Sequence, residues 1–112
     1  MNTRKYSNKQ EKNIAKKLGG KKQPNSGATP FFKGDIQTKE FLIEAKTQIE
    51  EKKSFSIKKD WLEKNKEEAF SMGRQFSALA FNFGGYNNKQ NYYIIDEFAM
   101  GVFVGLVENM ED

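Results

Sequence analysis

The sequence predicts a protein of mixed α and β structure (α/β, or more narrowly α+β), in which a mixed β-sheet is flanked by helices. Apolar residues recur near one face of a helix over residues 57–70. Short apolar or alternating runs at 41–46, 76–83 and 92–95 are bounded by glycine and polar residues, as strands are. Together they predict the element order α-β-β-(β)-α-β-β-α.

The first predicted helix covers residues 9–18, whose few apolar residues form a narrow stripe. Two glycines follow directly and are expected to end the helix. We expect residues 1–8 to be a flexible basic terminus and residues 9–112 to form a single domain. The stretch 19–30 contains glycines and prolines and is predicted to be a loop.

Two strands are predicted next, at about 31–37 and 40–47, joined by a polar turn. The second begins with an apolar run and then alternates between apolar and charged residues. Alternation places Leu42, Glu44 and Lys46 on one face of this strand.

The remaining elements follow from apolar runs and turn residues. Residues 54–57 could form a short strand or lead into a helix that runs to about Met72, where Gly73 is placed to end it. The last predicted elements are strands at 76–83 and 92–95, a helix at 98–107, and an N-terminal cap of that helix at Asp96-Glu97.

Composition excludes several classes of protein. The chain has no Cys, so it has neither disulfides nor thiolate chemistry, and this fits a reducing cytoplasm. It has no His either, which removes His-ligated zinc and the commonest general base. No apolar run approaches the roughly 20 residues that span a bilayer, and the polar first 25 residues contain no signal peptide.

The net charge of +4 conceals a gradient along the chain. Residues 1–25 hold eight bases and one acid (+7), residues 26–90 hold eleven bases and nine acids (+2), and residues 91–112 hold five acids and no base (−5). A basic amino-terminal part is typical of proteins that bind polyanions. The alternative for its first residues is a solubilising tail.

Three charged side chains converge in the predicted hairpin. Asp35 precedes the turn, and Glu44 and Lys46 follow it on one face of the second strand. Mg²⁺ binds one or two carboxylates and keeps open positions for water and phosphate. A lysine nearby can orient the attacking water and neutralise developing charge. Asp35, Glu44 and the backbone carbonyl of Ala45 are therefore candidate metal ligands, and Lys46 a candidate catalytic residue.

A bare Glu-x-Lys has little value in a chain so rich in both residues. The run Glu50-Glu51-Lys52-Lys53 contains it twice more, without apolar neighbours, and is expected to be a solvated loop. The copy at 44–46 differs because an apolar run precedes it. The alternative interpretation is an ordinary salt bridge between Glu44 and Lys46, with Asp35 a turn residue.

The acid, the spacer and the Glu-x-Lys on the next strand resemble the PD-(D/E)xK nuclease superfamily. The segment Glu44–Thr47, the segment Lys53–Lys58, the helix after it and the apolar Ala78–Phe81 resemble the small Holliday junction resolvases of the archaeal and bacterial RecU types. The similarity covers roughly residues 9–97. It implies a restriction-endonuclease-like sheet flanked by helices. Gly34 stands where the motif has proline, and the chain is shorter than the RecU type.

The resemblance also implies roles for individual residues. Asp35 and Glu44 would hold Mg²⁺ or Mn²⁺, and Lys46 would be the catalytic lysine. Resolvases of this kind carry a Glu on the first helix that completes the acidic cluster, and Glu11 is the matching acid; its alternative is an exposed helix residue. Ser26, with the glycine after it, matches the stretch before the Asp in family members. These resolvases are homodimers, which implies one here.

Lysines on both sides of the hairpin are candidates for contacts with DNA phosphates, although for any one of them a solvated surface is the simpler alternative. They are Lys16, Lys17, Lys21, Lys22, Lys52, Lys53, Lys58 and Lys59.

These observations together predict a Mg²⁺- or Mn²⁺-dependent endodeoxyribonuclease that cleaves branched DNA, as a Holliday junction resolvase does in recombination and repair. The expected location is the cytoplasm of a bacterial, archaeal or phage-infected cell. Two alternatives stay open. One is a PD-(D/E)xK nuclease of restriction, repair or replication, and the other is a nucleic-acid-binding protein without catalytic activity.

Overall fold

A computed structural model describes residues 3–22, 36–85 and 90–110, with side chains from Tyr6 onward. These residues contain three helices and five strands. In chain order they are α1 (Thr3–Leu18), β1 (Lys21–Lys22), β2 (Ile36–Gln37), β3 (Phe41–Lys46), α2 (Lys59–Ser71), β4 (Phe76–Phe81), β5 (Tyr92–Ile94) and α3 (Glu97–Glu108).

The strands form one mixed sheet in the order β1-β2-β3-β4-β5. β1, β2 and β3 are antiparallel neighbours, β4 runs parallel to β3, and β5 is antiparallel to β4. The parallel pair needs a crossover between its strands, and α2 provides it. The predicted mixed sheet flanked by helices is therefore confirmed.

The core between α1 and the sheet is built from Ile14 of α1 together with Ile36, Ile43, Ala78 and Ala80 of the strands, all buried. Ile43 pairs with Ile36 on one side and with Ala78 on the other, so the three side chains lie in one row across the sheet.

The opposite face of β3 and β4 is covered by α2. Leu42 and Leu79 are fully buried there. Asn65 of α2 is buried and donates its amide to the backbone carbonyls of Ala78, at 3.0 Å, and of Leu42, at 3.5 Å. α2 is thereby bonded directly to both central strands.

Several predicted boundaries are confirmed. Gly73 has a positive φ of 72° directly after α2, and the amide of Arg74 returns to the carbonyl of Ala69 at 2.8 Å, which closes the helix end. The hairpin turn between β2 and β3 is closed by Thr38, whose amide bonds the carbonyl of Phe41 at 3.0 Å.

The prediction for the amino-terminal helix was wrong at its start. α1 begins at Thr3 and includes most of the segment 1–8 that we expected to be a flexible terminus. The helical stripe was hard to recognise because its buried positions include the polar Gln10 and Glu11 as well as Ile14. A stripe with two polar members has little hydrophobic periodicity.

The optional strand of the predicted order lies in another segment, and residues 54–57 lead into α2, the second of the two predicted possibilities. Residues 54–57 form no strand; instead the ring of Phe55 stacks on Phe81, with centroids 4.9 Å apart. The strand lies in the predicted loop, where Lys21 and Lys22 pair with Gln37 and Ile36. Two lysines carry no apolar signal, so this pairing could not be recognised.

Helix α3 contacts the rest of the protein through few residues. The ring of Phe103 stacks on Phe41, with centroids 5.9 Å apart, and Ala99 is buried. Most other large side chains of this helix are exposed: Phe98, Met100, Val104, Leu106 and Val107, with Met110 just beyond its end. The helix therefore presents an apolar surface to solvent.

Candidate functional site

The predicted Glu44–Lys46 pair lies at the C-terminal half of β3, on the face that α2 covers. Ile43 points to the α1 side, so strand alternation directs Glu44 and Lys46 to the α2 side. The Lys46 ammonium lies 3.7 Å from Oε2 of Glu44, and the side chains are only 27% and 15% exposed.

This pair differs from the ion pairs on the surface of α2. The Lys59–Glu63 and Lys64–Asp60 pairs each span one helical turn, and all four of their side chains are more than half exposed. Such surface pairs contribute little to stability, whereas withdrawing charges from water is costly. The Glu44–Lys46 pair is therefore less exposed than these surface pairs and lies beside the central strands.

Asp35, the third member of the predicted hairpin triad, lies outside the described residues, as does Ser26. The structure does describe the residue bonded to Asp35. Ile36 pairs across the hairpin with Ile43, whose chain neighbour is Glu44.

An aromatic ring lies against the Lys46 ammonium. Nζ of Lys46 is 4.2 Å from the centroid of Trp61, a residue of the first turn of α2, and Nζ of Lys58 is 5.6 Å from the same ring. Trp61 in turn contacts Phe55, with ring centroids 6.5 Å apart. No local pattern in the sequence indicates this contact between Trp61 and Lys46.

Glu11 is buried rather than exposed, with 6% of its surface accessible. Its Oε1 lies 3.6 Å from the ammonium of Lys22 on β1, which also donates to Oδ1 of Asn8 at 2.8 Å. Lys22, a candidate DNA-binding residue, is thus engaged with the side chains of α1. The alternative of Glu11 as an exposed helix residue is wrong.

The neighbouring Gln10 joins α1 to the C-terminal end of β3. Its amide nitrogen donates to the carbonyl of Lys46 at 3.0 Å and to Oδ1 of Asn91 at 3.2 Å, and its amide oxygen accepts from the hydroxyl of Thr47 at 2.9 Å. Gln10 is 5% exposed, so these bonds satisfy a buried amide. Since Glu11 follows Gln10, these bonds also hold the Glu11 region near the end of β3.

The loop after β3 is held in place by backbone contacts. The amide of Lys52 donates to the carbonyl of Phe83 at 2.8 Å, and that of Gly85 to the carbonyl of Ile49 at 3.0 Å. Gly84 has a φ of 82°, and a Cβ there would overlap the carbonyl oxygen of Glu50. The loop that carries Lys52 and Lys53 is therefore closely packed against the end of the sheet.

The candidate DNA-binding lysines fall into two groups at opposite ends of β3. Lys16 and Lys17 are exposed at the end of α1, close to Gly20, which lies against Thr38 of the hairpin turn. The other group follows the C-terminal end of β3 and is also exposed: Lys52, Lys53, Lys58 and Lys59. The six residues of β3 separate the ends by about 17 Å.

The described residues supply only part of a metal site. Among residues 3–22, 36–85 and 90–110, no three carboxylates lie close enough together to hold a metal ion. Glu44 offers one partly accessible carboxylate, a hard oxygen ligand of the kind that Mg²⁺ binds. The side chain of Ala45 packs against the core. The donor chemistry fits a hard cation, provided that Asp35 contributes a second carboxylate.

Two shifted pKa values lie outside this site. The amide of Ala99 and then the ammonium of Lys66 stabilise the charged form of Asp96 and lower the pKa of that carboxyl group. Burial raises the pKa of Tyr93, which lines an apolar cavity of about 400 Å³ together with Leu18, Phe41, Ile95 and Phe103.

Comparison with known proteins gives no match: neither a family model, nor a curated protein, nor a solved structure is similar to this chain. Across the described residues, no helix is both long and apolar enough to cross a membrane. The function therefore has to be inferred from the residues of the site and their geometry.

Proposed function

We propose that this protein is a metal-dependent endonuclease that hydrolyses phosphodiester bonds in branched DNA, with the four-way Holliday junction as its preferred substrate. The observation that carries the proposal is the poorly exposed Glu44–Lys46 pair on β3, opposite a strand whose first described residue, Ile36, is bonded to Asp35. The mixed sheet flanked by helices agrees with the fold that the resemblance to PD-(D/E)xK nucleases implies.

The residues of the pair suit phosphodiester hydrolysis. The Lys46 ammonium can donate to a phosphate oxygen or to the attacking water, and it favours the extra negative charge of the transition state. Mg²⁺ or Mn²⁺, held by Asp35, Glu44 and the Ala45 carbonyl, would supply Lewis-acid neutralisation of that charge. Glu11 is proposed, from the resemblance, to complete the acidic cluster; α1 packs on the sheet face opposite that of Glu44, and the Glu11 carboxylate pairs with Lys22 of β1.

The two lysine groups provide the proposed contact with the DNA backbone. Their charges lie at both ends of the strand that carries the site, so one DNA segment could contact both while its scissile phosphate reaches Lys46. Affinity from such contacts falls steeply with salt concentration. Residues 91–112, which include α3, contain no Lys or Arg and are not part of the proposed DNA-contact surface.

We also propose that the active form is a homodimer, since a junction is cut symmetrically on two strands. Support comes from α3, where Phe98 is 61%, Leu106 62% and Val107 64% exposed. Several exposed apolar side chains on one helix are typical of an interaction site, and a symmetric pairing of two copies would cover them on both.

The test is cleavage of a synthetic four-way junction, with and without Mg²⁺. Wild type should nick opposite strands at matched positions only when Mg²⁺ is present. Glu44→Ala should abolish cutting but keep junction binding, because it removes charge from the metal site and leaves the lysines in place. Glu63→Ala, which breaks the exposed pair with Lys59, is the matched control and should cut normally. Failure of wild type to cut any branched, single-stranded or duplex DNA at several salt concentrations would contradict the proposal.

The two alternatives give different results. A nuclease of restriction, repair or replication would cut, but without matched nicks on opposite strands of a junction. A nucleic-acid-binding protein without catalytic activity would bind DNA and cut nothing, and calorimetry would show no Mg²⁺ or Mn²⁺ binding that depends on Asp35 and Glu44.

A further inference from the structure

Trp61 is the one tryptophan of the chain, and its ring lies against the proposed catalytic ammonium. The distance of 4.2 Å from Nζ of Lys46 to the ring centroid is within the range of a cation–π interaction, which tryptophan makes more strongly than other side chains. The ring belongs to α2, which Asn65 bonds to the backbone of β3 and β4. The contact therefore has a rigid support.

The same ammonium has a second partner, Glu44, at 3.7 Å. These two contacts of Lys46 respond differently when a metal ion binds to the site. A cation bound to the Glu44 carboxylate competes with Lys46 for the negative charge of Glu44 and weakens their ion pair. The contact between Lys46 and the Trp61 ring does not involve that carboxylate and is unaffected by the cation. Lysine has four rotatable side-chain bonds, so an ammonium without a second contact would lose its position.

We propose that Trp61 is a positioning residue for Lys46: it holds the ammonium beside the scissile phosphate when the Glu44 carboxylate is occupied by the metal ion. This inference rests on the proposed nuclease function. Trp61 does not touch the reacting atoms, and its contribution is to keep Lys46 from moving into solvent. Phe55, in contact with Trp61 and stacked on Phe81, limits the movement of the ring.

The role of a base-stacking platform is less well supported. Two ammonium groups, those of Lys46 and Lys58, already lie within 4.2 and 5.6 Å of the ring centroid. A stacking residue contributes to DNA affinity, whereas a residue that positions Lys46 contributes to the rate of the chemical step. Kinetic measurements separate these two roles.

The test compares Trp61→Phe with Trp61→Leu in junction cleavage at saturating Mg²⁺. The leucine variant should lower kcat by about tenfold, a typical effect of losing a partly desolvated cation–π contact, with KM for the junction unchanged. The phenylalanine variant keeps a π face and should recover most of kcat. Phe70→Leu, on an exposed aromatic of the same helix, is the matched control and should leave kcat unchanged.

Intrinsic fluorescence gives a readout that does not depend on activity, because emission reports on Trp61 alone. Lys46→Met should change the emission intensity and wavelength, since it removes the ammonium from the ring. Lys64→Met, on the same helix but paired with Asp60, should leave the emission unchanged.

Three results would contradict the inference in distinguishable ways. Equal losses of kcat in Trp61→Phe and Trp61→Leu, or a loss confined to KM, would overturn the positioning role while the nuclease function stands. Emission that is the same in wild type and Lys46→Met would overturn the contact itself. A wild-type protein that cuts no DNA would overturn the nuclease function and, with it, the role of Trp61.

Discussion

At the C-terminal end of β3, the side chain of Gln10 bonds three other parts of the chain. Its amide reaches the carbonyl of Lys46, the hydroxyl of Thr47 and the side chain of Asn91. A buried amide with all its partners present rigidifies its surroundings. Gln10 therefore fixes the position of the strand end on which the Glu44–Lys46 pair lies.

Replacing Gln10 by Glu tests this support with almost no change of shape. The carboxylate keeps the bond from Thr47 but cannot donate to Lys46 or Asn91, and it buries an uncompensated charge. We expect the free energy of unfolding at pH 7 to fall by about 2–3 kcal/mol, measured by urea denaturation. The loss should become smaller at acid pH, where a neutral carboxyl group can donate again.

Gln48→Glu is the matched control, because the bond of Gln48 to the Glu50 carbonyl is exposed. It should change the free energy of unfolding by no more than about 0.5 kcal/mol. If Gln10→Glu were equally mild, Gln10 would not be a structural support of the site.

How far single residues could be predicted depends on the range of their contacts. Strand alternation is local, and it placed Glu44 and Lys46 together correctly. The bond between Gln10 and Lys46 spans 36 residues, and nothing in a polar helix position indicates it. A tryptophan at an apolar helical position usually lies in the core, and only the fold brings Lys46 to the ring of Trp61.

At the scale of elements, apolar patterns predicted β3, α2, β4 and α3 well. The patterns failed for β1, since two lysines pair with β2 through their backbone alone. They left residues 54–57 open between a strand and the entry to a helix; the structure shows the latter, with the ring of Phe55 stacked on Phe81. Backbone pairing without side-chain burial leaves no signal in a sequence.

The N-terminus of α3 offers a test of one predicted cap. Oδ1 of Asp96 accepts from the amide of Ala99 at 2.9 Å, and Oδ2 lies 3.1 Å from the ammonium of Lys66. Asp96→Ala should lower the free energy of unfolding at pH 7 by about 1 kcal/mol, as the loss of a helix cap does. Asp96→Asn should have a smaller effect, because it keeps the cap and loses only an exposed ion pair.

The contribution of Asp96 to the free energy of unfolding should depend on pH in a defined direction. Its pKa in the folded protein is lowered from the ordinary value of 3.8 by the cap and by Lys66. The stabilisation by the Asp96 carboxylate is therefore fully present above the ordinary pKa of 3.8. It is lost as the pH falls through the lower pKa that Asp96 has in the folded protein. Urea denaturation at neutral and strongly acid pH should show the difference between wild type and Asp96→Ala shrinking in acid. A difference that grows in acid would contradict the assignment.

At the scale of the whole molecule, charge and apolar surface are separated. Exposed lysines lie on α1, on α2 and in the loop between β3 and α2, whereas α3 is apolar and flanked by acids. The proposed DNA contacts and the proposed self-association therefore use different residues of the chain. The sequence indicated this gradient of charge, but not that α3 would be left exposed, since apolar helices are usually buried.

The homodimer is testable through α3. Wild type should sediment as a dimer at micromolar concentration, and Val107→Glu should shift it to monomer, because a carboxylate on the apolar surface of α3 cannot be desolvated without cost. Val107→Leu keeps the surface apolar and should remain dimeric. A wild type that stays monomeric throughout this concentration range would contradict the proposed assembly.

The central claim is that β3 carries a metal site made by Glu44 with Asp35, and isothermal titration of Mn²⁺ into the DNA-free protein tests it most directly. We predict a saturable heat of binding that is present in wild type and in the control Glu63→Ala, and absent from both Asp35→Ala and Glu44→Ala. Binding of equal strength in all four proteins, or no binding to wild type, would contradict the claim and leave Glu44 and Lys46 as an ordinary salt bridge.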